Sequence, residues 1–154
     1  MNKSKIDPEH HTIDGIYKLS QAMSDLVKRN PALQDVQAAD KLGAMTPLVD
    51  EHNKLLAVKR FDSDGNEVVA LYNFGDKPLK NYHLRDSVSV LNNGNWKETI
   101  NSNNTEFGGT GDFQNKSTYS SKNSVDLNIP ANGFIILEKV DAQGKVIKGQ
   151  PKFS

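Results

Sequence analysis

Leu55-Leu56-Ala57-Val58-Lys59-Arg60-Phe61, then Asp62-Ser63-Asp64-Gly65-Asn66, then Glu67-Val68-Val69-Ala70-Leu71-Tyr72-Asn73-Phe74 is the stretch that decides the fold. Two runs rich in Leu and Val flank a segment of Asp, Ser, Gly and Asn, residues that close turns through side-chain hydrogen bonds and a permissive backbone. The reading is a β-hairpin, with strands over residues 54–61 and 67–74.

Downstream the pattern repeats. Gly75-Asp76-Lys77-Pro78 is a turn, and short strands are expected over residues 80–84, 87–91 and 95–101, with Asn92-Asn93-Gly94 as a tight connection. Val125, Leu127 and Ile129 share one face of a strand, and Pro130-Ala131-Asn132-Gly133 turns it into a buried strand over 134–140. Asp141-Ala142-Gln143-Gly144 leads to an edge strand over 145–148. Residues 102–123 carry almost no aliphatic side chain and read as one long surface loop, the kind that is usually functional or mobile.

Upstream the period changes. Ile13, Ile16, Tyr17, Ser20, Met23, Leu26 and Val27 recur at three- and four-residue steps, which marks one face of a helix from about residue 12. Thr12 or Asp14 can cap it, Lys28 and Arg29 suit its C-terminal dipole, and Asn30-Pro31 stops it. A helical turn over 38–45, broken at Pro47, completes the upstream part. The fold class is therefore mainly β: an antiparallel β-sandwich of Greek-key type preceded by one N-terminal α-helix. Residues 1–11 read as a disordered leader, 12–50 as helix and linker, 51–148 as the sandwich and 149–154 as a tail.

With 154 residues the chain suits one domain with a real core. Its 19 basic and 19 acidic residues balance, so no overall field draws it to nucleic acid or an anionic membrane. There is no cysteine, which removes disulfides and thiolate metal sites, and no apolar run is long enough to span a bilayer.

Several phrases, in order, carry a family likeness. They are Lys28-Arg29-Asn30-Pro31-Ala32-Leu33 with Tyr17 upstream, Leu55-Leu56-Ala57-Val58-Lys59-Arg60, and Val69-Ala70-Leu71-Tyr72-Asn73-Phe74. Trp96-Lys97-Glu98-Thr99-Ile100-Asn101-Ser102, Phe107-Gly108-Gly109-Thr110-Gly111 and the closing strand over 125–137 follow. Together they resemble the last barrel helix and C-terminal β-sandwich of amylase-family glycoside hydrolases, glycogen branching enzymes included. The resemblance spans about residues 11–140. It implies a catalytic barrel as partner, and it implies that Ile13, Ile16, Tyr17, Met23 and Val27 are interface residues packed against that barrel. The family's catalytic Asp and Glu belong to the barrel, so the resemblance assigns no catalytic residue here. The parent enzyme's compartment leans toward extracellular or cell envelope.

The residues by themselves agree. Glycoside hydrolysis needs two carboxyl groups held across a bond, yet Asp50, Glu51, Asp62, Asp64 and Asp112 fall in turn segments where Asp bonds locally. His10-His11 and His52 lack a clustered acid or Cys, and Asp62–Asn66 lacks the distal Glu of a calcium loop, so no metal or cofactor is expected. Gly108-Gly109-Thr110-Gly111 has no following Lys to cradle phosphate.

Sugar rings stack on exposed aromatic faces. Trp96, Phe107, Phe113 and Tyr119, with Asn115, are the residues that would carry such contacts to an α-glucan. For Trp96 and Phe107 the favoured reading is packing in the core or at an interface, anchoring the loop, since a lone Trp is usually mostly buried. Three functions stay open: a structural accessory domain, a carbohydrate-binding module, and an unrelated adhesin-like β-domain. Alignment of the aromatic residues on one solvent face favours the second, whereas an uncovered helix stripe favours the first.

Overall fold

The computed structural model describes residues 8–34, 46–62, 64–84, 91, 94–115, 118–121, 126–141, 143 and 145. One helix, α1 (Pro8–Arg29), precedes eight described strands: β1 (Thr46–Asp50), β2 (Leu55–Phe61), β3 (Glu67–Asn73), β4 (Leu79–His83), β5 (Gly94–Asn101), β6 (Thr118–Ser121), β7 (Asp126–Ile129) and β8 (Gly133–Val140). They form a six-stranded antiparallel sheet in the order β1-β2-β3-β8-β5-β6 and a two-stranded antiparallel sheet of β4 and β7. The last strand returns to lie between β3 and β5. The fold is mainly β, as expected.

The hairpin pairs Leu55 with Asn73 through Phe61 with Glu67. Its turn is organised by Asp62, whose Oδ1 accepts from the backbone N–H of Asp64 at 2.9 Å and of Asn66 at 3.0 Å. Gly65 supplies the left-handed residue, with φ +91°.

Alternation sorts the six-stranded sheet into two buried faces. Leu55, Ala57, Val69, Leu71, Trp96, Ile135 and Leu137 pack toward β4 and β7, which contribute Leu127 and Ile129. Val68, Ile100 and Ile136 pack on the other side with Leu26 and Ala32. The layers are thus helix, large sheet, small sheet. Strict alternation would put Ile100 on the same face as Trp96. A bulge between Glu98 and Ile100 resets the register, pairing Ile100 with Ile136 on the helix side.

Three expectations change. The helix begins at Pro8 rather than near residue 12, because proline needs no N–H partner in a first turn. Residues 46–50 form a strand rather than linker; β1 is an edge of the sheet, where Pro47 is tolerated. The 102–123 stretch is not one loop: Thr105–Phe107 forms a 3₁₀ turn, and β6 pairs Thr118–Ser121 with Lys97–Gly94 of β5. A polar edge strand carries no aliphatic alternation to announce it. The helix docks on the sheet through a face centred on Gly15, Ala22 and Leu26, and leaves Ile13, Ile16 and Tyr17 exposed. The expected helical turn over 38–45, the strand over 87–90, the edge strand over 146–148 and the tail lie outside the described residues.

Candidate interface beside the helix

Gly15, Leu19, Ala22 and Leu26 recur at helical spacing. Leu26 is 1% exposed, and Leu19 and Ala22 pack on the second core with Met23. Gly15 is buried, and any Cβ there would overlap the backbone carbonyl of Phe107, so helix and loop touch main chain to main chain.

The other end is held by polar contacts. Asn30 adopts an extended backbone before Pro31, and its Oδ1 accepts from the Ala32 N–H at 3.0 Å. Its Nδ2 donates to Glu138 Oε2 at 2.7 Å, and Arg29 donates to both Glu138 oxygens at 2.9 and 2.7 Å. Thr99 Oγ1, brought there by the bulge, donates to Glu138 Oε1 at 2.6 Å. Burial alone would raise the Glu138 pKa. The donors from Arg29, Thr99 and Asn30, with the Arg29 charge, outweigh it and hold the carboxyl below its ordinary range.

With that face occupied, the opposite stripe is bare. Ile13 is 65% exposed, Ile16 55%, Tyr17 62% and Val27 43%, while Met23 is half-buried at the edge of the stripe. Beside it, between the helix and β2–β3, runs a groove of about 310 Å³ whose walls include Met23, Val27, Leu33, Val58, Arg60 and Tyr72. Tyr72 also stacks against exposed Phe74 at 6.2 Å and meets Phe134 at 5.4 Å.

The residues considered for sugar contact do not assemble. Trp96 is fully buried in the sandwich core, so it offers no stacking face; that expectation is corrected, since the large indole fills the space between the sheets. Phe107 is half-buried against the helix-side core. Phe113 is half-buried at φ +60°, with Lys80 Nζ 5.5 Å from its ring centre. Asn115 is engaged internally: its Nδ2 donates to Glu98 Oε2 at 2.5 Å and to the Asn128 carbonyl at 2.8 Å, and its Oδ1 accepts from the Asn128 N–H at 2.7 Å. Tyr119 stands opposite Trp96 in backbone register, and its side chain lies outside the described residues.

The loop asparagines work the same way. Asn103 Nδ2 donates to Thr110 Oγ1 at 2.9 Å and to the Asp112 carbonyl at 2.7 Å, and Asn104 Oδ1 caps the 3₁₀ turn through the Glu106 N–H at 3.0 Å. Burial raises the Glu98 pKa against the opposing hydrogen bonds from Asn115 and Asn101. Asp50 is lowered by hydrogen bonds from Asn53 and Tyr82; its Oδ2 accepts from the Tyr82 hydroxyl at 2.6 Å, linking the β1–β2 turn to the small sheet. Among the described residues no group of three His, Asp or Glu is placed to hold a metal.

Sequence reasoning missed Gly15, Arg60 and Glu138. The signals were present: a glycine on a helix face, an arginine in an alternating strand, and an acid inside the closing strand.

The family model described as "Alpha amylase, C-terminal all-beta domain" matches residues 48–140. Curated relatives are 1,4-alpha-glucan branching enzymes. That of Corynebacterium diphtheriae is 32% identical over 93 residues, covering 60% of this chain and 12% of the relative. That of Cutibacterium acnes is 27% identical over 101 residues, covering 66% and 15%. That of Rhodococcus jostii is 23% identical over 128 residues, covering 79% and 17%. The matches thus span less than a fifth of each of these relatives. Among solved structures, alpha-galactosidase I from Mortierella vinacea is similar with a TM-score of 0.40 at 17% identity, over 67% of this chain and 24% of that one. The match over most of the sandwich, on a mainly antiparallel β fold, places the chain in the family of alpha amylase C-terminal all-beta domains.

Proposed function

We propose that this chain is the non-catalytic accessory part of an amylase-family enzyme acting on α-glucan, and that it covers and stabilises that enzyme's catalytic barrel. One observation carries this reading: α1 is held to the Thr105–Phe107 turn through Gly15 and to the sheet through Leu26 and Arg29, yet leaves Ile13, Ile16, Tyr17 and Val27 bare. Large apolar side chains left exposed on one helix face mark a surface that another body covers. The curated relatives are named as branching enzymes and are much longer than the matched region, which supports a large neighbouring domain. The carbohydrate-module alternative has less support, because Trp96 is enclosed and Asn115 is bonded within the domain.

Three measurements test it. The chain alone should leave the iodine absorbance of amylose unchanged. Its mobility in glycogen-containing native gels should equal that in plain gels. An apolar dye such as anilinonaphthalene sulfonate should bind it, and Ile16→Asp with Tyr17→Asp should abolish most of that signal while the circular dichroism is kept. Branching or cleavage of glucan by the isolated chain, or retardation by glycogen, would refute the reading.

A further inference from the structure

Arg60 is out of balance with its surroundings. Its Nε and Nη2 are sealed from solvent and meet no acceptor. It lines the groove beside the helix, where Met23, Val27, Leu33, Val58 and Tyr72 supply apolar walls. The nearest acid in its cross-strand row is Glu138, since Arg60 pairs with Val68 and Val68 with Glu138. The Glu138 oxygens already accept from Arg29, Asn30 and Thr99. Glu67 is bound to Lys59 and Lys139.

We propose that the groove receives an Asp or Glu side chain set among apolar neighbours, presented by the domain that covers the helix stripe, and that the half-buried Arg60 side chain turns its guanidinium edge into the groove to grip that carboxylate. This rests on the accessory reading and adds the chemistry of the contact. Charge complementarity selects an anion, and a planar fork suits a carboxylate. Continuity selects the same partner, since Val27 belongs to both the exposed stripe and the groove wall. The apolar walls exclude water, so the contact is worth more there than on open surface.

Nitrogen-edited NMR of the full chain reads the Arg60 Nε–H directly. Sodium butyrate, an apolar stem ending in a carboxylate, should shift that signal saturably, and butyramide, its uncharged counterpart, should not. Arg60→Met should abolish the response. It should also raise the melting temperature of the free chain by about 2–4 °C, because it removes two buried, unpaired nitrogens and leaves an apolar side chain among apolar walls. A signal unmoved by butyrate, or moved equally by butyramide, overturns the proposal. So does a melting temperature that falls. If Asp35→Asn with Asp40→Asn shifts the Arg60 signal, the acceptor belongs to this chain. If dilution alone shifts it, the occupant is a second copy. Either result also overturns the proposal. Retardation by glycogen would defeat the accessory reading while leaving the butyrate response to be judged separately. A flat butyrate titration with dye binding intact would defeat the carboxylate contact alone.

Discussion

Arg29 and Glu138 meet as a two-point ion pair, at 2.9 and 2.7 Å, across 109 residues of chain. Glu138 is 1% exposed, whereas the Arg29 side chain is 47% exposed. The pair joins the last turn of the helix to the central region of the large sheet. Removing the two partners should therefore have unequal effects. Glu138→Ala strands Asn30 and Thr99 donors in a dry site and should cost about 2–3 kcal/mol. Arg29→Ala, with its head half in water, should cost about 1 kcal/mol. Urea unfolding followed by circular dichroism separates them.

The same carboxylate sets an acid limb of stability. The folded pKa of Glu138 lies below its ordinary 4.5, so its contribution is present above that value and is lost as pH falls through the lowered one. Glu138→Gln should flatten the loss of stability on acidification, measured as urea midpoints from neutral pH down to the acid range.

Glu98 has the opposite sign. Burial raises its pKa, so its stabilising share is present at low pH and is lost as pH rises through the raised value. Glu98→Gln keeps an oxygen to accept from Asn115, which now donates to Glu98 Oε2 at 2.5 Å. This variant should match or exceed the parent in melting temperature at neutral pH and lose that advantage under acid.

Gly15→Ala sets two effects against each other. Alanine is the better helix former by about 1 kcal/mol. Its Cβ would collide with the main chain at Phe107 and Gly108, which cannot turn aside as a flexible side chain could. Overpacking of this kind costs about 1–3 kcal/mol, so the net sign should be destabilising. Limited proteolysis should show the helix released first.

Trp96 is the single tryptophan and lies in the core. Its fluorescence should be blue-shifted, resist acrylamide, and ignore added maltooligosaccharide. Trp96→Ala should cost about 3–5 kcal/mol. A quenching response to sugar in the folded chain would contradict the placement.

Elements whose pattern and turn chemistry agree could be read from the sequence directly. The β2–β3 hairpin is one: Asp62, Gly65 and Asn66 specify the turn, and alternation specifies the faces. Strand β6 had no such signal, because Thr118-Tyr119-Ser120-Ser121 carries no aliphatic alternation and its place is set by backbone pairing with β5. The face by which the helix docks on the sheet was not legible. Its large residues Ile13, Ile16 and Tyr17 dominate the periodicity, but small ones, Gly15 and Ala22, give the close approach. Periodicity weighs size, and docking here depends on its absence. The Arg60 groove was illegible for a related reason: a charged residue in an alternating strand looks solvated until the neighbouring helix closes over it.

The stretch that matches the family, residues 48–140, does not contain every side chain of the packed core. A polypeptide started at residue 48 would lose Leu26 and Ala32 from above Val68 and Ile136, and would leave Glu138 without Arg29 and Asn30. The edge of the family match thus falls inside the packed core, because the helix that precedes it supplies part of that core.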